Sequence, residues 1–366
     1  MKTLALVFGG ESCEHDISVI TALSVYNAIK NRFQVYPVYL KEGLFWTGEA
    51  LKDVSFYAKF DIKKLKETTF RPGLMAVKKR FGYAHYKIDC VLVCNHGGVG
   101  ENGSLSGYFE TVGIPYTSSD PVGSGICMDK VLTKYFLEKF RFPVVNYRVY
   151  RKGGKVSKVE ELGYPVILKP ARLGSSVGIS YVRNREELEK GLAFSTQFDE
   201  KVLCERALEN FEEYNCAVCS TKDGVVISEV EHPVFKSEFM DFYDKYEGSD
   251  GSQREIPAKI DGKLRERIRR TSKEIYLLLE LKGPVRIDYL YENGKLYVNE
   301  INSVPGSLAC YLFKSEGLEI ADVAENAVES AIAEFERKRG LLCDFASDVL
   351  KNYAEKGAKK LLPLKK

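Results

Sequence analysis

Arg286-Ile287-Asp288-Tyr289-Leu290-Tyr291-Glu292-Asn293-Gly294-Lys295-Leu296-Tyr297-Val298-Asn299-Glu300-Ile301-Asn302 is the stretch on which the reading of this chain turns. Aromatic and β-branched residues flank a Glu-Asn-Gly turn, the pattern of a β-hairpin. A three-residue loop with Gly294 in the left-handed conformation is expected to close it. Side chains alternate with period two, so that loop sets Arg286, Asp288, Glu300 and Asn302 on one face, beside Leu290, Leu296 and Val298. A two-residue loop would send Asp288 and Glu300 to opposite faces. Carboxylates among apolar side chains are costly unless paired or bound to a cation. A half-solvated hairpin with its charges facing water is the plain alternative. The sharper one is a Mg²⁺ platform: two carboxylates and an amide oxygen are hard donors, and Mg²⁺ takes few protein ligands beside substrate phosphates.

The rest of the chain sets the frame. Its 366 residues allow two or three domains. A hydrophobic content of 45% with 29% charged residues describes an ordinary globular protein. A net charge of +3 argues against a bulk nucleic-acid binder. No apolar run reaches membrane-spanning length, and the first residues read as a buried strand entering a glycine turn, not as an export signal. Nine scattered cysteines fit buried reduced thiols and a cytoplasmic setting. The pair Cys216/Cys219 has redox spacing but follows no strand-to-helix junction.

Residues 1–118 alternate strand and helix in a doubly wound parallel α/β pattern, with 41–87 expected as a peripheral insertion. A strand at Ile114–Thr117 closes this segment. A second segment, 119–205, carries a helix at Lys130–Phe140 and a strand at Tyr164–Pro170. The third, 206–366, holds strands near Glu213–Ser220 and Val225–Val234, a Gly/Ser/Asp-rich loop at about Lys236–Gln253, a long helix and the hairpin. Two amphipathic helices with a Lys-rich end form its tail, read as solvated.

No P-loop signature occurs. Another phosphate cradle does: Lys169-Pro170 ends an apolar strand, and Gly174-Ser175-Ser176-Val177-Gly178 follows. Glycines admit close backbone approach, while amide N–H groups and hydroxyls can wrap an anion. Lys169 and Lys130 can supply point charges. An ordinary turn with a surface lysine is the alternative, but cradle and acidic hairpin together are the two halves of a Mg-ATP site. Gly98-Val99-Gly100-Glu101-Asn102-Gly103 formally matches a dinucleotide-binding loop, with Asp120 at a distance suited to a ribose. A nicotinamide oxidoreductase is therefore a rival. It leaves the acidic hairpin unexplained.

Taken in order, the motifs resemble those of the D-alanine–D-alanine ligase family of ATP-grasp enzymes. They are Gly9-Gly10-Glu11-Ser12-Cys13-Glu14-His15-Asp16-Ile17-Ser18, His96-Gly97 through Gly107, Met128-Asp129-Lys130, Lys169 through Gly178, Asp241-Phe242-Tyr243-Asp244-Lys245-Tyr246, Arg286-Ile287-Asp288 and Asn299 through Gly306. The resemblance implies a three-domain ATP-grasp architecture, α+β overall, with ATP between the second and third sheets. It implies that Lys130, Lys169, Ser175 and Ser176 hold phosphates. Glu205, Arg206, Ala207, Leu208 and Glu213 would meet the base and ribose. Arg206-Ala207-Leu208 departs from the Lys-Trp-Leu of many members. Phe239 and Asn299 complete the nucleotide contacts. Asp288, Glu300 and Asn302 would bind two Mg²⁺ ions, with Mn²⁺ as an alternative.

The implied chemistry is ATP-dependent joining of two D-alanines through an acyl phosphate, for peptidoglycan precursors. Glu14 would hold the first substrate's ammonium group and His96 its carboxylate side. Arg286 and the Gly306 N–H would stabilise the oxyanion. The loop around Lys236–Gln253 resembles a lid, with Lys245 on the γ-phosphate and Tyr246 linking Ser175 to Glu14. Where members place Ser and Leu on the acceptor carboxylate, this chain has Tyr311 and Leu312. The phenol's bulk leads us to expect weakened acceptor binding, which Tyr311→Ser would restore. A homodimer is the family expectation. The alternatives are a D-alanine–D-lactate or other carboxylate–amine ligase, and a non-catalytic nucleotide-binding module.

Overall fold

Apolar runs of differing length and period build three sheets. The computed structural model describes residues 1–234, 253–341 and 347–356. In the first sheet β1 (Thr3–Gly9), β2 (Gln34–Lys41), β3 (Leu44–Thr47), β4 (Lys66–Arg71), β5 (Leu74–Lys78), β6 (Tyr83–Lys87) and β7 (Cys90–Val93) lie in the order β6-β5-β4-β3-β2-β1-β7. Strand β1 is buried from Leu4 onward, as expected of a central strand covered on both faces. The helix His15–Ile29 packs on one face and Ser104–Thr111 on the other.

Two expectations change here. Only β2, β1 and β7 pair in parallel, and residues 41–87 extend that sheet outward from β2. They supply β3 to β6, an antiparallel extension of the same sheet. Tight turns join β2 to β3, β4 to β5 and β5 to β6, and residues 48–65, with short helical turns, join β3 to β4, so antiparallel pairing needs no long crossover. The sheet is therefore mixed. Ile114–Thr117 forms no strand and contributes a single bridge, Val91 to Tyr116.

The second sheet joins β8 (Tyr147–Arg151), β9 (Val166–Pro170), β10 (Ser180–Val182) and β11 (Lys201–Arg206) in the order β10-β9-β11-β8. Its apolar face receives the helix Arg185–Ser195. The third sheet holds β12 (Glu212–Thr221), β13 (Gly224–Val234), β14 (Gln253–Glu255), β15 (Pro284–Glu292) and β16 (Lys295–Asn302), ordered β14-β13-β12-β15-β16. The amphipathic helix Gly262–Leu278 covers one face of it. On β12, Cys216 and Cys219 enter different cores, so this C-x-x-C pair neither bridges nor chelates.

The decisive hairpin forms, by a different route. Glu292 pairs with Lys295, leaving a two-residue loop of Asn293 and Gly294 at φ 49° and 80°. Positive φ at both positions is what the common Asn-Gly hairpin turn requires. That loop alone would separate Asp288 from Glu300. A β-bulge restores the parity: Tyr289 pairs with Val298 but Asp288 with Glu300, so Asn299 is the extra residue. Beyond the bulge, Leu296 and Val298 turn to the core under the helix instead of joining the carboxylates. Leu290 stays on the polar face.

The tail also differs from the solvated reading. The helix Ile320–Arg339 buries Ala321, Val323, Ala324, Ala327 and Val328. They share one core with β1, β7, β12 and the helix His15–Ile29.

Candidate active site

The three sheets leave between them a cleft of about 1420 Å³ lined by Glu14, Lys130, Lys169, Ser175, Ser176, Asp288, Glu300, Asn302 and Gly306, among others. It exceeds the usual single small-molecule pocket, which leaves room for a nucleotide and further substrates.

Its cationic wall is held from beneath. Asp129 caps the helix Lys130–Lys139, accepting from the N–H groups of Val131 and Leu132 at 3.1 and 3.2 Å, and its other oxygen pairs with Lys201. This fixes Lys130 at the first helical position, where its Nζ donates to the Leu173 carbonyl at 2.7 Å and stands 3.9 Å from Glu300. Four residues on, on the same helix face, Lys134 is fully buried. Lys134 and Lys169 grip opposite oxygens of Glu205 at 2.7 and 2.6 Å. Burial alone would raise the Glu205 pKa, but the two ammonium groups together pull it down to about 2. Burial depresses Lys134 even so, whereas Glu205 lifts Lys169 above the usual lysine range against its own burial. Lys169 also donates to Asn299 Oδ1 at 3.2 Å, so the bulge residue ties the two walls together.

The acidic wall is the hairpin. Arg286 binds Asp288 through two donors, Nε at 2.7 Å and Nη2 at 2.8 Å. Asn302 Nδ2 reaches Asp288 at 3.0 Å. Asp288 holds Arg286 charged well above the ordinary range despite burial. Among the described residues no cluster of three His, Cys, Asp or Glu side chains forms a metal cage. Two carboxylates and one amide on a single face suit Mg²⁺, which keeps several positions for phosphate and water. Asn302 would present its oxygen, since amide orientation is an assignment and can reverse.

The third wall comes from the first sheet. Ser175, in a left-handed conformation beside left-handed Ser176, donates to Glu14 across the cleft. Strained backbone of this kind persists where the surroundings over-determine it. His96 sits deeper. Burial lowers its pKa and keeps it neutral, with Nδ1 against the Val304 carbonyl at 2.7 Å and Nε2 against Thr21 Oγ1 at 2.8 Å. Thr21 Oγ1 in turn accepts the Ser307 N–H at 3.0 Å. Glu101 accepts from Gly97 N–H at 2.9 Å and Val304 N–H at 2.8 Å. Burial, with Glu14 adding to it, pushes Glu101 up to about 8. Three side chains thus clamp the loop that presents Gly306.

Several expected contacts fall elsewhere. Glu205 pairs its carboxylate with Lys134 and Lys169. Arg206 turns to Glu292 at 2.8 Å, and Ala207 is buried. Leu208 and Glu213 do line the cleft. Leu312 is wholly in the core. Tyr311 reaches the cleft, but its hydroxyl donates to Glu231 at 3.1 Å. Phe239, Lys245 and Tyr246 lie outside the described residues. Thr21, Lys134, Glu231 and Arg254 were not anticipated. Lys134 carried a signal, a lysine one helical turn after Lys130; Glu231 and Arg254 carried none.

Comparison with known proteins matches residues 3–119 to the D-ala D-ala ligase N-terminus and 136–329 to the D-ala D-ala ligase C-terminus. The chain belongs to the D-alanine–D-alanine ligase family. A relative from Thermosipho melanesiensis, a D-alanine–D-alanine ligase, is 36% identical over 351 residues, covering 93% of this chain and 96% of its own. A Campylobacter jejuni ligase is 34% identical over 312 residues, 85% of this chain and 89% of its own. Among solved structures, the Helicobacter pylori D-Alanine-D-Alanine ligase superposes with a TM-score of 0.77 at 25% identity, covering 90% of this chain and 98% of its own. The VanG D-Ala:D-Ser ligase from Enterococcus faecalis does so at 0.78 and 27%, covering 90% and 99%. The family members are ATP-grasp ligases, which excludes the nicotinamide reading of the Gly98–Gly103 loop. That loop opens a one-turn helix whose Glu101 points inward.

Proposed function

We propose that this cleft joins two D-alanine molecules into D-alanyl-D-alanine, with ATP converted to ADP and phosphate through phosphoryl transfer, in peptidoglycan precursor synthesis. One observation supports the reading most. A lysine wall (Lys130, Lys169), an oxygen-donor hairpin face (Asp288, Glu300, Asn302) and the Glu14–Ser175 pair meet around one cleft. A carboxylate is a poor electrophile, so the first D-alanine carboxylate oxygen attacks the γ-phosphorus of ATP and ADP leaves. Lys130, Lys169 and the left-handed Ser175-Ser176 turn stabilise the charge on the transferring group. Asp288, Glu300 and Asn302 would hold Mg²⁺, which would supply further charge neutralisation at the phosphates. We assign two ions there, with Mn²⁺ as an alternative. Glu14 holds the donor ammonium. The amine of the second D-alanine attacks the acyl carbon and loses a proton, and phosphate departs. Arg286 and the Gly306 N–H, steadied by Thr21, His96 and Glu101, stabilise the tetrahedral oxyanion. A homodimer in the cytoplasm is proposed from family resemblance; sedimentation tests the former.

The test is phosphate release from ATP plus D-alanine with the dipeptide identified by mass, in competition with D-lactate and D-serine. Dipeptide as main product supports the assignment. Phosphate with a different product assigns another acceptor, and neither product leaves a nucleotide-binding module.

A further inference from the structure

In the cleft that Gly306 also lines, a small charged cluster surrounds Tyr311. Glu231, only 1% exposed, accepts from Asn215 Nδ2 at 2.9 Å and from the Tyr311 hydroxyl at 3.1 Å. Arg254, on β14, stands over the Tyr311 ring at 4.6 Å from its centroid and 3.5 Å from the other Glu231 oxygen. A side cavity of about 520 Å³ opens next to it, and the charged residues of its lining, Arg254 and Lys314, are both cations.

The second substrate is an amino acid whose amine must reach the acyl carbon near Gly306 and Arg286. Its carboxylate needs a cationic partner beside that centre, and Tyr311 and Arg254 line the same cleft as Gly306 and Arg286. Arg286 already gives two donors to Asp288. The Tyr311 hydroxyl is directed to Glu231. Arg254 remains. Among the described residues, its link to Glu231 is longer than those from Asn215 and Tyr311, and Glu231 keeps those two donors if the guanidinium moves. A guanidinium also offers a planar fork that matches a carboxylate.

We infer that Arg254 is the acceptor-carboxylate receptor of this enzyme, with Tyr311 and Glu231 as the residues that position it. The inference rests on the proposed ligation and names a specificity determinant within it. Tyr311 then replaces a direct grip on the acceptor by an aromatic platform for an arginine, and the acceptor must carry an anionic group.

The test uses the full-length enzyme with ATP and D-alanine as donor, and either D-alanine or D-alaninamide, which lacks the carboxylate, as acceptor. Wild type should favour D-alanine over the amide by about 10²-fold in acceptor kcat/KM, the range of one charge-assisted bidentate contact. Arg254→Ala should raise the acceptor KM by at least about tenfold and abolish most of that preference, with the donor KM within about twofold. Arg254→Lys should restore part of the preference. Tyr311→Phe should raise the acceptor KM less, through looser positioning. An unchanged acceptor KM and unchanged preference in Arg254→Ala would overturn the inference. So would an equal rise in both KM values, which marks general damage to the cleft. Absence of dipeptide from the wild type would instead overturn the assigned reaction, and the inference with it.

Discussion

Single residues here do their work by what they hold in place. Glu205 was expected at the nucleotide base and is found as a buried anion between Lys134 and Lys169. Removing one member of such a set leaves buried charge without compensation. Glu205→Gln is expected to cost about 3–5 kcal/mol, read from the urea midpoint. Since the folded-state pKa of Glu205 is depressed to about 2, its contribution is complete above the ordinary carboxylate range and is lost as pH falls toward that value. Glu101 works with the opposite sign. Its pKa is raised to about 8, so the folded state keeps a proton that the unfolded chain has released, and stability declines as pH climbs from the ordinary carboxylate range to about 8. Glu101→Gln should flatten that decline in melting temperature measured against pH. An identical slope in wild type and variant would show that Glu101 ionises normally.

At the scale of one element, the hairpin β15–β16 shows how a local pattern can reach the right face by an unexpected route. Asn293-Gly294 makes the shortest common turn, and Asn299 then adds the residue that brings Glu300 opposite Asp288. Deleting Asn299 should remove the bulge and flip Glu300 relative to Asp288. Dipeptide formation is expected to fall by more than about a thousandfold, since both the oxygen-donor face and the Lys169 contact go. Retained activity would mean that the chain re-forms the bulge elsewhere. Gly294→Ala is a milder probe of the same element. At φ 80° a side chain costs about 1 kcal/mol, and activity should hold.

Across the whole molecule, the first and third sheets are joined by one hydrophobic core. Leu4 and Phe8 of β1, Ala217 and Cys219 of β12, and Val323 and Val328 of the helix Ile320–Arg339 belong to it. Arg32 fastens the same helix through Asp322 at 2.8 Å and Glu325 at 2.7 Å. These exposed pairs add little; the burial carries the docking. Val328→Asp, placing an unpaired charge in that core, is expected to lower stability by roughly 3 kcal/mol or more and to unfold both sheets in one transition. Separate transitions by tyrosine fluorescence and circular dichroism would show that they fold independently.

Much of this was legible in the residues. Strand and helix types, the glycine-serine turn at Gly174–Gly178 and the acidic hairpin all follow from side-chain period, turn chemistry and donor type, which act over a few neighbours. The mixed first sheet was less legible, because β3 to β6 look like any short basic and aromatic strands until they pair. The bulge at Asn299 was not legible, since register depends on what each strand bonds to. Nor could sequence show that Ser175 would meet Glu14, that Glu101 would face Val304, or that Tyr311 would turn its hydroxyl to Glu231. Those contacts join residues far apart in the chain. They exist only once buried surface and hydrogen-bond satisfaction have settled how the sheets close on one another.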